Sequence, residues 1–98
     1  LKLRRVAILG STGSIGISAL SVARHLKGRV RIEGLAAGKN AKELLRQAKE
    51  FRPSVIGISD VEQGAWLKGQ LSRMKGKRPR LATGPGALSE VACARGSN

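Results

Sequence analysis

Aromatic side chains are nearly missing from this chain, with one Phe, one Trp and no Tyr among 98 residues. A core must therefore come from Ile, Leu, Val and Ala, and there is little with which to stack nucleic-acid bases. Cysteine is scarce too: Cys93 is alone, which excludes a disulfide within the chain and a thiolate metal site. A reducing compartment is the default, and Cys93 reads as a small apolar residue. With His25 the only histidine, no Ser-His-Asp set can be argued. No apolar run approaches the roughly 18 residues of a membrane span, and the N-terminus carries no signal-peptide pattern. Acidic residues number six against 19 Lys and Arg, leaving a formal charge of +13.

That excess favours an anionic partner: nucleic acid, a membrane surface or a phosphorylated small molecule. Apolar content of 41% is ordinary for a globular domain. The chain starts at Leu1 rather than Met, and its pattern ends without a closing strand. It is therefore expected to be one domain, residues 1–98, cut from a longer protein.

Apolar runs and amphipathic stretches alternate. Leu3 to Leu9 reads as a buried strand. From Ser14 a helix follows, with Ile15, Ala19, Val22, Ala23 and Leu26 as its apolar stripe and Gly28 at its end. "RVRIEGLAAG" is a second strand. "NAKELLRQAKEF" is a second helix, with Asn40 as N-cap, Ala41, Leu44, Leu45, Ala48 and Phe51 inward, and Pro53 as its stop. "SVIGIS" is a third strand. Asp60 caps a third helix carrying Leu67, Leu71 and Met74. After the basic loop "RMKGKRPR", "LAT" forms a fourth strand and "ALSEVACA" a fourth helix, while "RGSN" is an open end. Such alternation implies an α/β, Rossmann-like doubly wound parallel sheet of about four βα units, left incomplete.

The first strand-to-helix turn reads "GSTGSIG". Gly10 permits the tight turn, Gly13 leaves room for a pyrophosphate against the backbone, and Gly16 lets the helix lie close to the sheet. The N–H groups of Thr12, Gly13, Ser14 and Ile15 are expected to face the anion, helped by the helix dipole at about 0.3–1 kcal/mol per charge. No Lys follows as G-K-[ST], which disfavours a P-loop. The second strand ends in "LAAGKN", with no acidic residue between Leu35 and Lys42. An acid there would bind the ribose 2′-OH of NAD; a basic residue suits the 2′-phosphate of NADP. Gly38 allows close approach, Lys39 neutralises a phosphate and Asn40 donates a hydrogen bond, so NADPH is expected over NADH.

"AILGSTGSIG", "LAAGKN" and "EFRPSVIGISD" together resemble the amino-terminal NADPH domain of the 1-deoxy-D-xylulose 5-phosphate reductoisomerase family, from about Arg5 to Ala92. The resemblance implies cofactor binding at Thr12, Gly13, Ser14 and Ile15, and a grip on the 2′-phosphate region by Gly38, Lys39 and Asn40. It implies a divalent cation, Mg or Mn, held by carboxylates. It implies rearrangement of a phosphorylated ketose followed by hydride transfer, giving 2-C-methyl-D-erythritol 4-phosphate in the non-mevalonate route to isoprenoids. It also implies a homodimer in the bacterial cytoplasm or in plastids. Family members are much longer, and nothing in this chain matches their metal-binding carboxylates, substrate-phosphate site or active-site loop. No catalytic residue and no metal ligand is assigned here, and the chain alone is expected to turn over nothing.

Two rivals remain. Extended short-chain and semialdehyde dehydrogenases also open with G-x-x-G-x-x-G. The Tyr-x-x-x-Lys pair of the former is missing here, while the catalytic Cys of the latter would lie further along than this chain reaches. A basic nucleic-acid-binding fragment would use Arg73, Lys75, Lys77, Arg78 and Arg80, but neither a recognised motif nor aromatic interleaving supports it. A solvated basic loop accounts better for that run, so neither nucleic acid nor membrane is expected as a partner.

Overall fold

Each apolar run of the sequence forms a strand, and each amphipathic stretch a helix that returns the chain to the same end of the sheet. The computed structural model of the chain describes residues 3–26 and 28–94. Among these, the order is β1 (Arg4–Leu9), α1 (Ser14–His25), β2 (Val30–Ala37), α2 (Ala41–Phe51), β3 (Val55–Ile58), α3 (Val61–Leu71), β4 (Arg80–Thr83) and α4 (Ala87–Ala94). Leu3 precedes β1, and β4 begins one residue earlier than "LAT" suggests. The "RGSN" end lies outside the described residues.

The strands pair in parallel in the order β1-β2-β3-β4. Ile32, Leu35, Ala37, Ile56 and Ile58 pack on one face against Leu20 of α1, Leu44 and Ala48 of α2, and Leu67 of α3. Ala36 and Val55 look the other way, against Val91 and Leu88 of α4. Helices thus cover both faces, as a doubly wound sheet requires. Full burial of each large aliphatic side chain stabilises by about 1.5–3 kcal/mol.

One irregularity sets the phase of β2. Val6 pairs with Ile32, but Ala7 pairs with Gly34, so Glu33 is an extra residue. That insertion resets the alternation and lets Ile32 and Leu35 face the same side.

The caps read from the sequence are in place. Asn40 Oδ1 accepts from the Glu43 N–H at 3.2 Å, and Asp60 Oδ1 accepts from the Gln63 N–H at 2.9 Å. The α2 stripe is buried as expected, with Phe51 half-buried. The chain leaves α2 through Arg52 in the left-handed region, φ 51°. Met74 lies beyond α3, in the turn that follows, and packs against the core from there. Gly64, costly for helix propensity, lets α3 approach β4: a Cβ there would sit 2.6 Å from Thr83 Cγ2.

The α1 stripe differs from the one expected. Gly16, Leu20 and Ala23 are buried, whereas Ile15 is 86% exposed and Val22 58%. Ala19, Val22 and Leu26 instead line an open apolar groove with Val6 and Ile8. Cys93 is exposed on α4 rather than packed as a small apolar residue. No helix among the described residues is long and apolar enough to cross a membrane.

Candidate functional site

In a parallel sheet the loops that leave the carboxyl ends of adjacent strands lie side by side, and a crevice there is the usual ligand position. Here the loop after β1 carries Gly10 to Gly13, and the loop after β2 carries Gly38 to Asn40. The two are stitched together at their roots. The N–H groups of Gly10 and Ser11 both donate to Ala36 O, at 2.7 and 2.9 Å. Gly38 O accepts from the Asp60 N–H at 2.9 Å, which anchors the second loop to the start of α3.

Gly10 makes the turn at φ +74°, open to glycine and strained for other residues. A Cβ on Gly16 would lie 2.3 Å from Gly10 O and 2.6 Å from Ser11 Cα. The absence of that side chain lets the first turn of α1 sit directly on the glycine loop. Around Gly13 the nearest atom to an added Cβ is Gly10 O at 3.5 Å, and the residue is exposed. The space that a side chain would occupy there opens outward.

α1 differs from α2 and α3 at its start. Its N-cap is Gly13, with no side chain bonded to the first turn. The first intrahelical donor is the Ile17 N–H, which reaches Gly13 O at 2.9 Å. The N–H groups of Ser14, Ile15 and Gly16 therefore precede the helical ladder, at the positive end of the helix. The Gly13 N–H donates to Gly10 O at 3.1 Å and closes the turn. Of the residues expected to line this loop, Gly13, Ser14 and Ile15 are exposed and Thr12 is half-buried.

Gly38, Lys39 and Asn40 are all exposed in the second loop. Lys39 O accepts from the Ala41 N–H at 2.8 Å, and no ion pair among the described residues engages its side chain. Asn40 commits Oδ1 to its cap, so its amide N–H groups remain as donors. Two arginines near α2 are paired: Arg46 with Glu43 and Glu50, and Arg24 with Glu50. The Arg46 guanidinium holds the Glu43 carboxyl below the usual carboxylate range, with help from the Gln47 amide.

Gln47 escaped the reading of the sequence. It is fully buried, and its Nε2 donates to Ser11 O at 2.9 Å and to Glu43 Oε2 at 3.1 Å. Its place three residues after Leu44 and four before Phe51 puts it on the inward face of α2, and that spacing is the signal by which it could have been found. His25 behaves as a helix-end residue, its Nδ1 lying 2.9 Å from Ser21 O. Among the described residues no three His, Cys, Asp or Glu come together in a way that could hold a metal ion.

The arrangement is an uncapped helix mouth beside an exposed lysine, on neighbouring strand ends. It fits a dinucleotide: amides for a diphosphate, a cation for a further phosphate on the ribose.

Comparison with known proteins agrees. The pattern of the 1-deoxy-D-xylulose 5-phosphate reductoisomerase family matches residues 6–98. The enzyme of that name from Symbiobacterium thermophilum is 43% identical over 88 residues, which are 89% of this chain and 23% of that protein. The one from Chlorobaculum tepidum is 40% identical over 98% of this chain and 24% of its own length. A DOX-P reductoisomerase crystallised with NADPH, fosmidomycin and magnesium superposes with a TM-score of 0.83 at 35% identity, over 91% of this chain and 21% of that one. The Zymomonas mobilis enzyme in complex with NADPH gives 0.81 at 33% identity, over 92% of this chain and 23% of that one. The chain thus spans about a quarter or less of the length of these relatives. On the family pattern and these identities, the chain belongs to the 1-deoxy-D-xylulose 5-phosphate reductoisomerase family.

Proposed function

We propose that this chain is the NADPH-binding part of a reductoisomerase that rearranges 1-deoxy-D-xylulose 5-phosphate and reduces the product to 2-C-methyl-D-erythritol 4-phosphate. The observation that carries the reading is the contact of Gly16 with Gly10 and Ser11, which brings the uncapped amides of Ser14, Ile15 and Gly16 to the mouth of α1 beside the second loop. Those amides hold the diphosphate. Lys39 neutralises the 2′-phosphate, Asn40 donates to it, and Gly38 leaves space for the ribose. The cofactor, when bound, supplies the hydride.

The rest of the reaction is assigned to parts of the protein beyond these residues. A divalent cation, Mg or Mn, belongs to carboxylates elsewhere, in keeping with the relative crystallised with magnesium. A homodimer in the bacterial cytoplasm or in a plastid completes the reading. The 98-residue chain alone is inactive on this account.

The test is cofactor preference. NADPH should bind the intact protein more tightly than NADH, and Lys39→Glu should cost NADPH about 10- to 100-fold while leaving NADH nearly unchanged, the value of one or two charge-assisted bonds. Equal binding of both cofactors by the unaltered protein would remove the role given to Lys39.

A further inference from the structure

We propose that Gln47 is a positioning residue that fixes the glycine loop from α2, so that the two loops of the cofactor site hold one geometry. The inference rests on the NADPH-binding reading above. Its geometry is a continuous relay. Asn40 Oδ1 in the second loop accepts from the Glu43 N–H at 3.2 Å. Glu43 Oε2 accepts from Gln47 Nε2 at 3.1 Å, and the same Nε2 donates to Ser11 O at 2.9 Å. The Ser11 N–H in turn donates to Ala36 O at 2.9 Å. The glycine loop is therefore gripped at Ser11 from both sides, by the sheet through its N–H and by α2 through its carbonyl.

Only one orientation of the Gln47 amide satisfies this site. Both groups facing Nε2 are acceptors, one a carbonyl and one a carboxylate that Arg46 keeps ionised. Turning the amide over would set Oε1 against two oxygens. The cost of the observed orientation is visible: Gln47 Oε1 and Ser11 Oγ are buried without a protein partner among the described residues. A residue selected only to fill space in α2 would be apolar, as Leu44, Leu45 and Ala48 are. A buried amide with one unpaired end indicates that its other end does something packing cannot.

The experiment replaces the donor and keeps the shape. Gln47→Glu puts an acceptor in place of Nε2, and Gln47→Met removes hydrogen bonding with little change of volume. Affinities for NADP+ and NAD+ are measured by calorimetry on the intact protein. Both should fall by a similar factor, about 3- to 10-fold in Gln47→Met, since the diphosphate held by the glycine loop is common to the two. Lys39→Glu, by contrast, should affect NADP+ alone. In Gln47→Glu the loss relative to the unaltered protein should shrink at acidic pH, where the buried carboxyl protonates and donates again. Amide exchange across residues 10–16 of the nucleotide-free protein should rise in both variants, with Val61–Leu71 unchanged. A merely space-filling Gln47 would lower thermal stability and leave affinities and local exchange alone, which overturns the proposal. Binding of neither nucleotide by the unaltered protein would overturn the cofactor reading on which it rests.

Discussion

Gly16 and Gly10 are in backbone contact across the first turn of α1, so close that a Cβ at position 16 would fall 2.3 Å from the Gly10 carbonyl oxygen. The loop and the helix mouth are therefore one rigid piece. Gly16→Ala must push α1 away from the loop, because the obstructing atoms are backbone and cannot rotate aside. A loss of about 1–3 kcal/mol in urea unfolding is expected, as for overpacking elsewhere, together with loss of most NADPH affinity. Unchanged affinity in Gly16→Ala would separate the contact from cofactor binding.

Asn40 carries two duties that substitution can part. Its Oδ1 caps α2 through the Glu43 N–H, and its amide N–H groups are the donors proposed for the 2′-phosphate. Asn40→Ala should cost about 1 kcal/mol of stability, the usual value of a cap, and weaken NADPH binding. Asn40→Asp should keep the stability, since aspartate caps equally well, yet weaken NADPH more than alanine does through charge repulsion. Thermal melts beside calorimetry distinguish the two effects.

Acid should loosen the fold through three carboxylates. Glu50 is held below its ordinary value near 4.5 by hydrogen bonding to Arg24, Glu33 by the Ser54 hydroxyl and Arg31, and Glu43 by Arg46 and Gln47. Each native pKa lies below the unfolded one, so the unfolded chain takes up more protons in acid. The stabilisation is fully present above the ordinary value and is lost as pH falls through the depressed native values. These groups are partly exposed, so each contributes modestly. The urea midpoint should be level at neutral pH and decline below about 4.5. Arg24→Ala, which removes the stronger of the two guanidinium partners of Glu50 and the cation over the Phe51 ring, should shallow that decline.

Where local signals suffice, the sequence was legible. Asn40 and Asp60 were readable as caps, and Leu44, Leu45 and Ala48 as an inward face, since capping and helical period are properties of neighbours in the chain. The two loops at the ends of β1 and β2 were found from their glycines and the GKN triplet. The rotation of α1 was not legible. Hydrophobicity pointed Ile15 and Val22 inward, but contact of Gly16 with the loop sets the helix angle, and adjacent residues differ by about 100° around a helix. Ile15 therefore faces out. The engagement of the Gly13 N–H with Gly10 O was hidden for a similar reason: it depends on the φ of Gly10, which no residue type dictates. Gly34 and Gly57 belong to the same class. They make room for Val91, whose methyl groups would lie 2.8 and 2.7 Å from Cβ atoms at those sites. Only the arrival of α4 on that face reveals the need.

The most direct measurement of the central claim is amide hydrogen exchange on the intact protein with and without NADP+. Protection should appear at the mouth of α1, in residues 10–17, and in the second loop, residues 38–41, with the basic stretch 73–80 unaffected. Protection confined to residues 73–80, or absent from both loops while the nucleotide is bound, would contradict it.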